Sequence, residues 1–223
     1  MDILDPSYSN DSDYLCLIAS LLTEIRDSLR QSSPIAAVPY EQLSGMMDAM
    51  TRGIPTPPAR GVGIYKVQGP NGELPDPVGT PGATNPDVTD ATLQQTIGTS
   101  GWTATVRPPV AYTNTVKLVV MGEYGLTGNP ADFELDHLVP LCCGGNPTSQ
   151  LNLWAQRRAG VNGAPLKDLT EVLAQHAILA GHLSLSDAQQ GFMKNWYDLH
   201  VRLTSNPATM KLLMGLAPPE EEP

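Results

Sequence analysis

The sequence predicts an α+β fold, and three observations carry that prediction. Two stretches near the C-terminal end, 167–180 and 186–203, place apolar residues at helical spacing. Two short strand-like segments, 133–139 and 151–155, flank the turn residues Cys143-Gly144-Gly145-Asn146-Pro147. Ahead of them lies an amphipathic block over 12–31, separated from the rest by a long stretch dense in Pro and Gly.

Taken in order, the first element is the 12–31 helix, with Tyr14, Ile18, Leu21, Leu22, Ile25 and Leu29 on one face and Ser12 or Asp13 at its start. Residues 32–84 read as linker, because proline fixes φ and removes backbone donors, with a short strand over 62–67 inside it. A short segment over 91–97 follows. Residues 112–124 carry Val116, Leu118, Val119 and Met121. They are read as a helix capped by Thr113 or Asn114 and stopped at Gly125, with strand as the alternative because of the β-branched content. The 167–180 helix has Leu169, Val172, Leu173, His176 and Ala177 near one face. The 186–203 helix opens on the capping-box pattern Ser186-Asp187-Ala188-Gln189 and continues its apolar side through Trp196, Leu199 and Leu203. Residues 206–223 are read as a C-terminal tail, disordered over 217–223.

Charge narrows the classes of function. A net charge of -10 argues against a surface that is basic everywhere, the usual mark of a protein that coats DNA. The acidity is concentrated at the ends, however. Residues 1–52 hold Asp2, Asp5, Asp11, Asp13, Glu24, Asp27, Glu41 and Asp48 against only Arg26, Arg30 and Arg52, and the tail adds Glu220, Glu221 and Glu222. The middle of the chain is nearly neutral, so a nucleic-acid partner is weakened and not removed. The three cysteines, Cys16, Cys142 and Cys143, form no disulfide framework and no Cys-x-x-Cys zinc pair. No basic n-region precedes the apolar run at 14–22, and no run approaches the ~20 apolar residues that span a bilayer. The expected setting is cytoplasmic, or delivered or virion-associated, without a membrane partner.

The residues with the clearest chemistry are Asp136-His137, at the end of the first strand-like segment. Phosphodiester hydrolysis needs an activated water and a positive charge near the leaving oxygen. An imidazole suits the first task, and a carboxylate that holds a hard cation suits the second. Adjacent residues on a strand point to opposite faces, so the pair serves one site only where a turn or a metal draws them together. By itself such a dipeptide reads as a capped turn with a surface histidine.

The surroundings add to it. Glu134-Leu135-Asp136-His137-Leu138-Val139-Pro140-Leu141, then Gly144-Gly145, then Asn152-Leu153-Trp154, resembles the HNH or His-Me finger nucleases, whose core is a ββα-metal unit. More narrowly it resembles a bacterial and phage group with an Asp-His-Leu-x-Pro-Leu, Gly-Gly, Asn-Leu-Trp core. The likeness extends upstream through Gly101-Trp102-Thr103-Ala104-Thr105-Val106-Arg107-Pro108-Pro109, Tyr112-Thr113-Asn114 and Tyr124-Gly125, and downstream through Lys167-Asp168, Gly181-His182-Leu183-Ser184-Leu185, Ala188-Gln189 and Asn195-Trp196. It covers roughly 85–203. The implied organisation is an N-terminal helix module at 1–31, a linker at 32–84, a nuclease-like domain at 85–205 and a tail at 206–223.

The resemblance implies roles. His137 matches the general base, Asp136 the first metal ligand, and Asn152 the asparagine that orients the base or braces the loop. The second metal ligand is expected just before the following helix, at Asn162, with Asp168 as the rival. The implied cofactor is one divalent ion, Mg²⁺ first, with Mn²⁺ or Zn²⁺ as alternatives. Arg157, Arg158 and Lys167 are the expected phosphate contacts; Arg107, Lys117 and Lys194 are further candidates. His176 is read as a packed histidine, His182 as a turn residue near phosphate, and His200 as a complement to a helix dipole. Cys142-Cys143 departs from the pattern, standing where relatives carry Glu-Leu. Gly98 stands where many carry cysteine. The expected activity is metal-dependent cleavage of nucleic acid, DNA ahead of RNA, with low sequence specificity. A protein partner is expected through residues 1–80. The competing expectation is a non-catalytic interaction or virion-associated protein that keeps the nuclease fold.

Overall fold

The computed structural model describes residues 60–207. The expected 12–31 helix, most of the Pro/Gly-rich stretch and the C-terminal tail lie outside the described residues.

Six regular elements organise the described chain. Two strands, β1 (Phe133–His137) and β2 (Leu153–Arg157), form an antiparallel pair. Helix α1 (Trp102–Val106) and helix α2 (Val110–Glu123) precede them, and α3 (Ala164–Leu179) and α4 (Leu185–Thr204) follow. The fold is therefore α+β, with a small two-stranded sheet among helices. None of the described helices is long and apolar enough to cross a membrane.

Pairing aligns Phe133 with Arg157, Leu135 with Ala155, Asp136 with Trp154 and His137 with Leu153. Alternation then puts Asp136, Glu134, Trp154 and Gln156 on one face, and His137, Leu135 and Phe133 on the other. Helix α2 packs on both strands, through Val116 and Val120, which are fully buried. Helices α3 and α4 pack on each other through Leu173, Ala177, Phe192 and Leu199.

Several boundaries differ from the sequence reading. The second strand begins at Leu153, because Gln150–Asn152 is a 3-10 turn capped by the Ser149 side chain. Helix α2 begins at Val110, and neither Thr113 nor Asn114 caps it: Pro109 is at the cap, and the Thr113 hydroxyl donates to the Val110 carbonyl within the helix. Helix α3 begins at Ala164, with Pro165 in its first turn, where a missing N–H costs nothing. The cap of α4 is Ser184 and not Ser186. The Ser184 hydroxyl oxygen accepts from the Asp187 backbone N–H at 3.0 Å, and the hydroxyl donates to the Asp187 carboxylate at 2.7 Å. Within α4, Asn195 leaves helical geometry and its side chain accepts from the N–H groups of Tyr197 and Asp198. It thereby caps the second half of the helix.

Residues 60–84, expected as the end of a linker, lie against this core through specific bonds. Arg60 pairs with the fully buried Glu123 at 2.8 Å, the Trp196 indole donates to the Glu73 carbonyl at 2.6 Å, and Thr84 bridges Gly145. No strand forms over 62–67. Instead the Gly63 and Tyr65 N–H groups donate to the carbonyls of Gly122 and Glu123 at the end of α2. The short helix α1 was not foreseen. At 91–97 only Leu93–Gln95 is regular, as a 3-10 turn.

Candidate active site at the end of the first strand

The site begins with the loop joining β1 to β2. Gly144 sits at φ 77°, a conformation that favours glycine. At Gly145 a Cβ would collide with the Val139 carbonyl, so only glycine lets the chain double back this closely.

Asn152 holds that loop closed. Its Oδ1 accepts from the Val139 N–H at 2.9 Å and, more weakly, from the Ala83 N–H at 3.3 Å. Its Nδ2 donates to the carbonyls of Val139 and Asn146, both at 3.0 Å. All of its hydrogen-bonding capacity goes to backbone, and it is fully buried. Of the two expected roles, Asn152 fills the loop-bracing one.

His137 is buried at the end of β1, and its Nε2 lies 3.0 Å from the Pro147 carbonyl of the braced loop. A carbonyl only accepts, so Nε2 carries the proton and Nδ1 keeps its lone pair. Burial, followed by the positive charges of Lys167 and Arg107, pushes the ring down to about 4, outweighing the help from the Pro147 carbonyl. The imidazole is therefore neutral at pH 7. Its tautomer is set by a backbone group two turns of loop away, which no local motif announces.

Asp136 faces the other way, toward α3. The Trp154 indole N–H donates to its Oδ2 at 2.7 Å, and the Lys167 ammonium donates to its Oδ1 at 3.0 Å. The same ammonium donates to the His137 carbonyl at 2.8 Å and to Glu171 Oε1 at 2.6 Å. Burial pushes the Asp136 carboxyl up, and Lys167 and Trp154 pull against it. Burial also opposes charge on Lys167, but Asp136 and Glu171 more than offset it and hold the lysine above its usual range. Glu171 is pushed up to about 7, chiefly by burial and by the Asp136 charge, against the pull of Lys167.

This placement corrects the reading of Lys167 as a phosphate contact. Its side chain has no solvent exposure, and all three ammonium donors are used inside the protein. Glu171 was missed altogether. One signal was present: Lys167 and Glu171 are four apart on a helix, and Lys167 lies in line with the buried Thr170, Ala174 and Ala177.

The other expected contacts are dispersed. The Arg158 guanidinium is exposed and paired with Glu134 at 2.7 Å. Arg157 is exposed and lies over the Phe133 ring at 5.0 Å. Lys117 is turned onto the carbonyls of Pro130 and Phe133. Lys194 is exposed on α4. Arg107 is the solvent-exposed cation whose field reaches both Asp136 and His137.

Asn162 is buried directly before α3, and its Oδ1 has no hydrogen-bond partner. Asp168 is exposed on the first turns of α3. Partial burial, then the neighbouring carboxylates of Glu134 and Asp136, push it up to about 6. His176 is exposed and not packed in the core, because the buried face of α3 is turned toward Leu173, Ala174 and Ala177. His182 is exposed, and His200 shares a hydrogen bond with Thr170 at 2.9 Å, so it serves the contact between α3 and α4 and not a helix end. Cys142 and Cys143 are both free thiols against the Glu171 carbonyl.

A resident divalent ion does not fit these residues as they stand. Both oxygens of Asp136 are engaged: the Lys167 ammonium lies 3.0 Å from each, and the Trp154 indole donates to Oδ2 as well. No group of three His, Cys, Asp or Glu side chains among the described residues is arranged to hold a metal. Comparison with known proteins adds no family to this geometry: no family model, no curated protein and no solved structure matches the chain.

Proposed function

We propose that β1, the braced loop, β2 and α3 form a His-Me finger core, and that the protein is an endonuclease hydrolysing phosphodiester bonds of DNA with low sequence specificity. The observation that carries this reading is His137. It is neutral, its Nε2–H is committed to the Pro147 carbonyl, and its Nδ1 lone pair is left to accept a proton. An unprotonated ring is the state a general base needs before the reaction starts, and the burial that holds this one near 4 makes it a weak base.

In the proposed reaction a water loses its proton to His137 Nδ1 as its oxygen bonds to phosphorus. The bond from phosphorus to the leaving sugar oxygen breaks, and that oxygen takes a proton from solvent. Arg107 supplies exposed positive charge whose field reaches the base, suited to a non-bridging phosphate oxygen. Arg157 and Arg158 extend basic surface along the end of β2, reading backbone and not base sequence. No step is routed through a metal ion, given the state of Asp136. The acidic segment ahead of residue 60 is proposed as a docking module for a protein partner.

One observation favours the second reading, a non-catalytic interaction protein with the same core: His137 is only 7% exposed, so substrate water must reach a nearly closed ring. Incubation of supercoiled plasmid with the full chain, in Mg²⁺, in Mn²⁺ and with chelator alone, separates the two. Nicking in any of these supports the enzyme; intact plasmid in all of them leaves the interaction protein.

A further inference from the structure

We infer that the Lys167 ammonium is the resident cation of this site, filling the place between β1 and α3 where a ββα-metal core would hold a divalent ion. The inference rests on the reading of β1, β2 and α3 as that core.

The ammonium is bound as an ion would be. Four oxygens from three groups surround it: both carboxylate oxygens of Asp136 on β1, each at 3.0 Å, the His137 carbonyl at 2.8 Å and Glu171 Oε1 on α3 at 2.6 Å. An ammonium has three donors, and each is matched to one of these three groups. The lysine side chain has no solvent exposure, and its charged end lies 5.4 Å from the Phe192 ring centre. A lysine with no exposure is rare unless paired, and here two carboxylates pair it.

A divalent ion cannot join this arrangement. Mg²⁺ sits about 2.1 Å from each oxygen ligand. An ion at that range from Asp136 would press against an ammonium already bonded to the same carboxylate, with like charges in a dry site. The indole of Trp154 closes the remaining approach to Oδ2. Lysine and metal are thus mutually exclusive. Lys167 is a positioning residue: it fixes the carboxylate of Asp136 and the backbone carbonyl of His137, and touches no substrate.

The test is direct Mn²⁺ binding to the full chain, followed by the loss of the free-ion paramagnetic resonance signal, and it needs no nuclease activity. The wild type is expected to leave millimolar Mn²⁺ free. Lys167→Met removes the charge while filling the stem's space, and exposes a vacant set of oxygens. It is expected to bind one Mn²⁺ per chain, and the added change Asp136→Asn to abolish that binding. Should Lys167→Met fail to fold, the wild type still decides: with ¹⁵N-labelled lysine, the Lys167 ammonium resonance is expected to survive Mn²⁺ without broadening. Stoichiometric Mn²⁺ binding by the wild type that Asp136→Asn removes, broadening of the Lys167 resonance, or a folded Lys167→Met that binds no Mn²⁺ overturns the inference. Intact plasmid in the nicking assay would leave each of these outcomes readable.

Discussion

Lowering the pH from 7 to 5 is expected to cost the wild type about 2 kcal/mol of stability through His137 alone. The ring sits near 4 in the folded protein and near 6.5 in an unfolded chain. A depressed histidine binds more protons when unfolded, so stability rises with pH across this window and is lost as pH falls through it. The whole shift of 2.5 units amounts to about 3 kcal/mol, and pH 5 samples roughly two thirds of it. Asp168 and Glu171, pushed up to about 6 and about 7, work in the opposite direction, since the folded state holds their protons more tightly. The wild-type profile alone is therefore a sum of opposing contributions. Comparison with His137→Gln isolates the ring, because glutamine keeps a neutral donor for the Pro147 carbonyl and does not titrate. Urea unfolding of both proteins at pH 7 and pH 5 should show the wild type losing about 2 kcal/mol more than the variant. Parallel losses, or an imidazole that titrates near 6.5 by proton NMR, would refute the burial and the fixed tautomer on which the base assignment rests.

Further substitutions test other parts of the site. Lys167→Ala strands Asp136 as a buried unpaired charge and should cost about 3–5 kcal/mol in urea unfolding, whereas Arg158→Ala, which breaks an exposed pair, should cost less than about 1 kcal/mol. Asn152→Ala leaves the Val139 N–H and the Val139 and Asn146 carbonyls without partners. A loss of roughly 3 kcal/mol is expected, with a rise in the His137 titration as the loop carrying Pro147 loosens; a stable variant with an unchanged histidine would contradict the bracing role. Gly145→Ala drives a methyl group into the Val139 carbonyl and should lower the thermal midpoint by the equivalent of about 3 kcal/mol, against almost no change for alanine at Gly122, where nothing lies near.

What the sequence made legible follows from how local each signal is. The spacing of Leu173, Ala177, Trp196, Leu199 and Leu203 depends only on helical periodicity, and the helices they imply are present. The strands around the Gly144-Gly145 turn are present too, and Phe133 opens the first as expected. The start of α4 was misplaced because two serines compete for its cap, and those of α2 and α3 because no side chain caps them. Ser184 and Ser186 are chemically equal, and only the turn after Gly181 decides between them. The environment of Asp136 was illegible for a different reason. Its partners Trp154 and Lys167 lie 18 and 31 residues away, and a lysine in isolation reads as a solvated charge. The packing of residues 60–84 was likewise hidden, since the Arg60–Glu123 pair spans 63 residues and a Pro/Gly-rich composition says nothing about what its backbone rests on.

The central claim is that His137 accepts the proton of the attacking water. Supercoiled-plasmid nicking by the wild type, by His137→Ala and by Arg107→Ala measures it most directly. General-base catalysis contributes about 10²–10⁴-fold, so the account predicts that His137→Ala loses at least about 100-fold in nicking rate, while remaining folded and still binding DNA. Arg107→Ala should weaken binding and make it less dependent on salt, because one fewer phosphate contact releases fewer counterions. A wild-type protein that nicks plasmid and a His137→Ala variant that nicks it at the same rate would contradict the account.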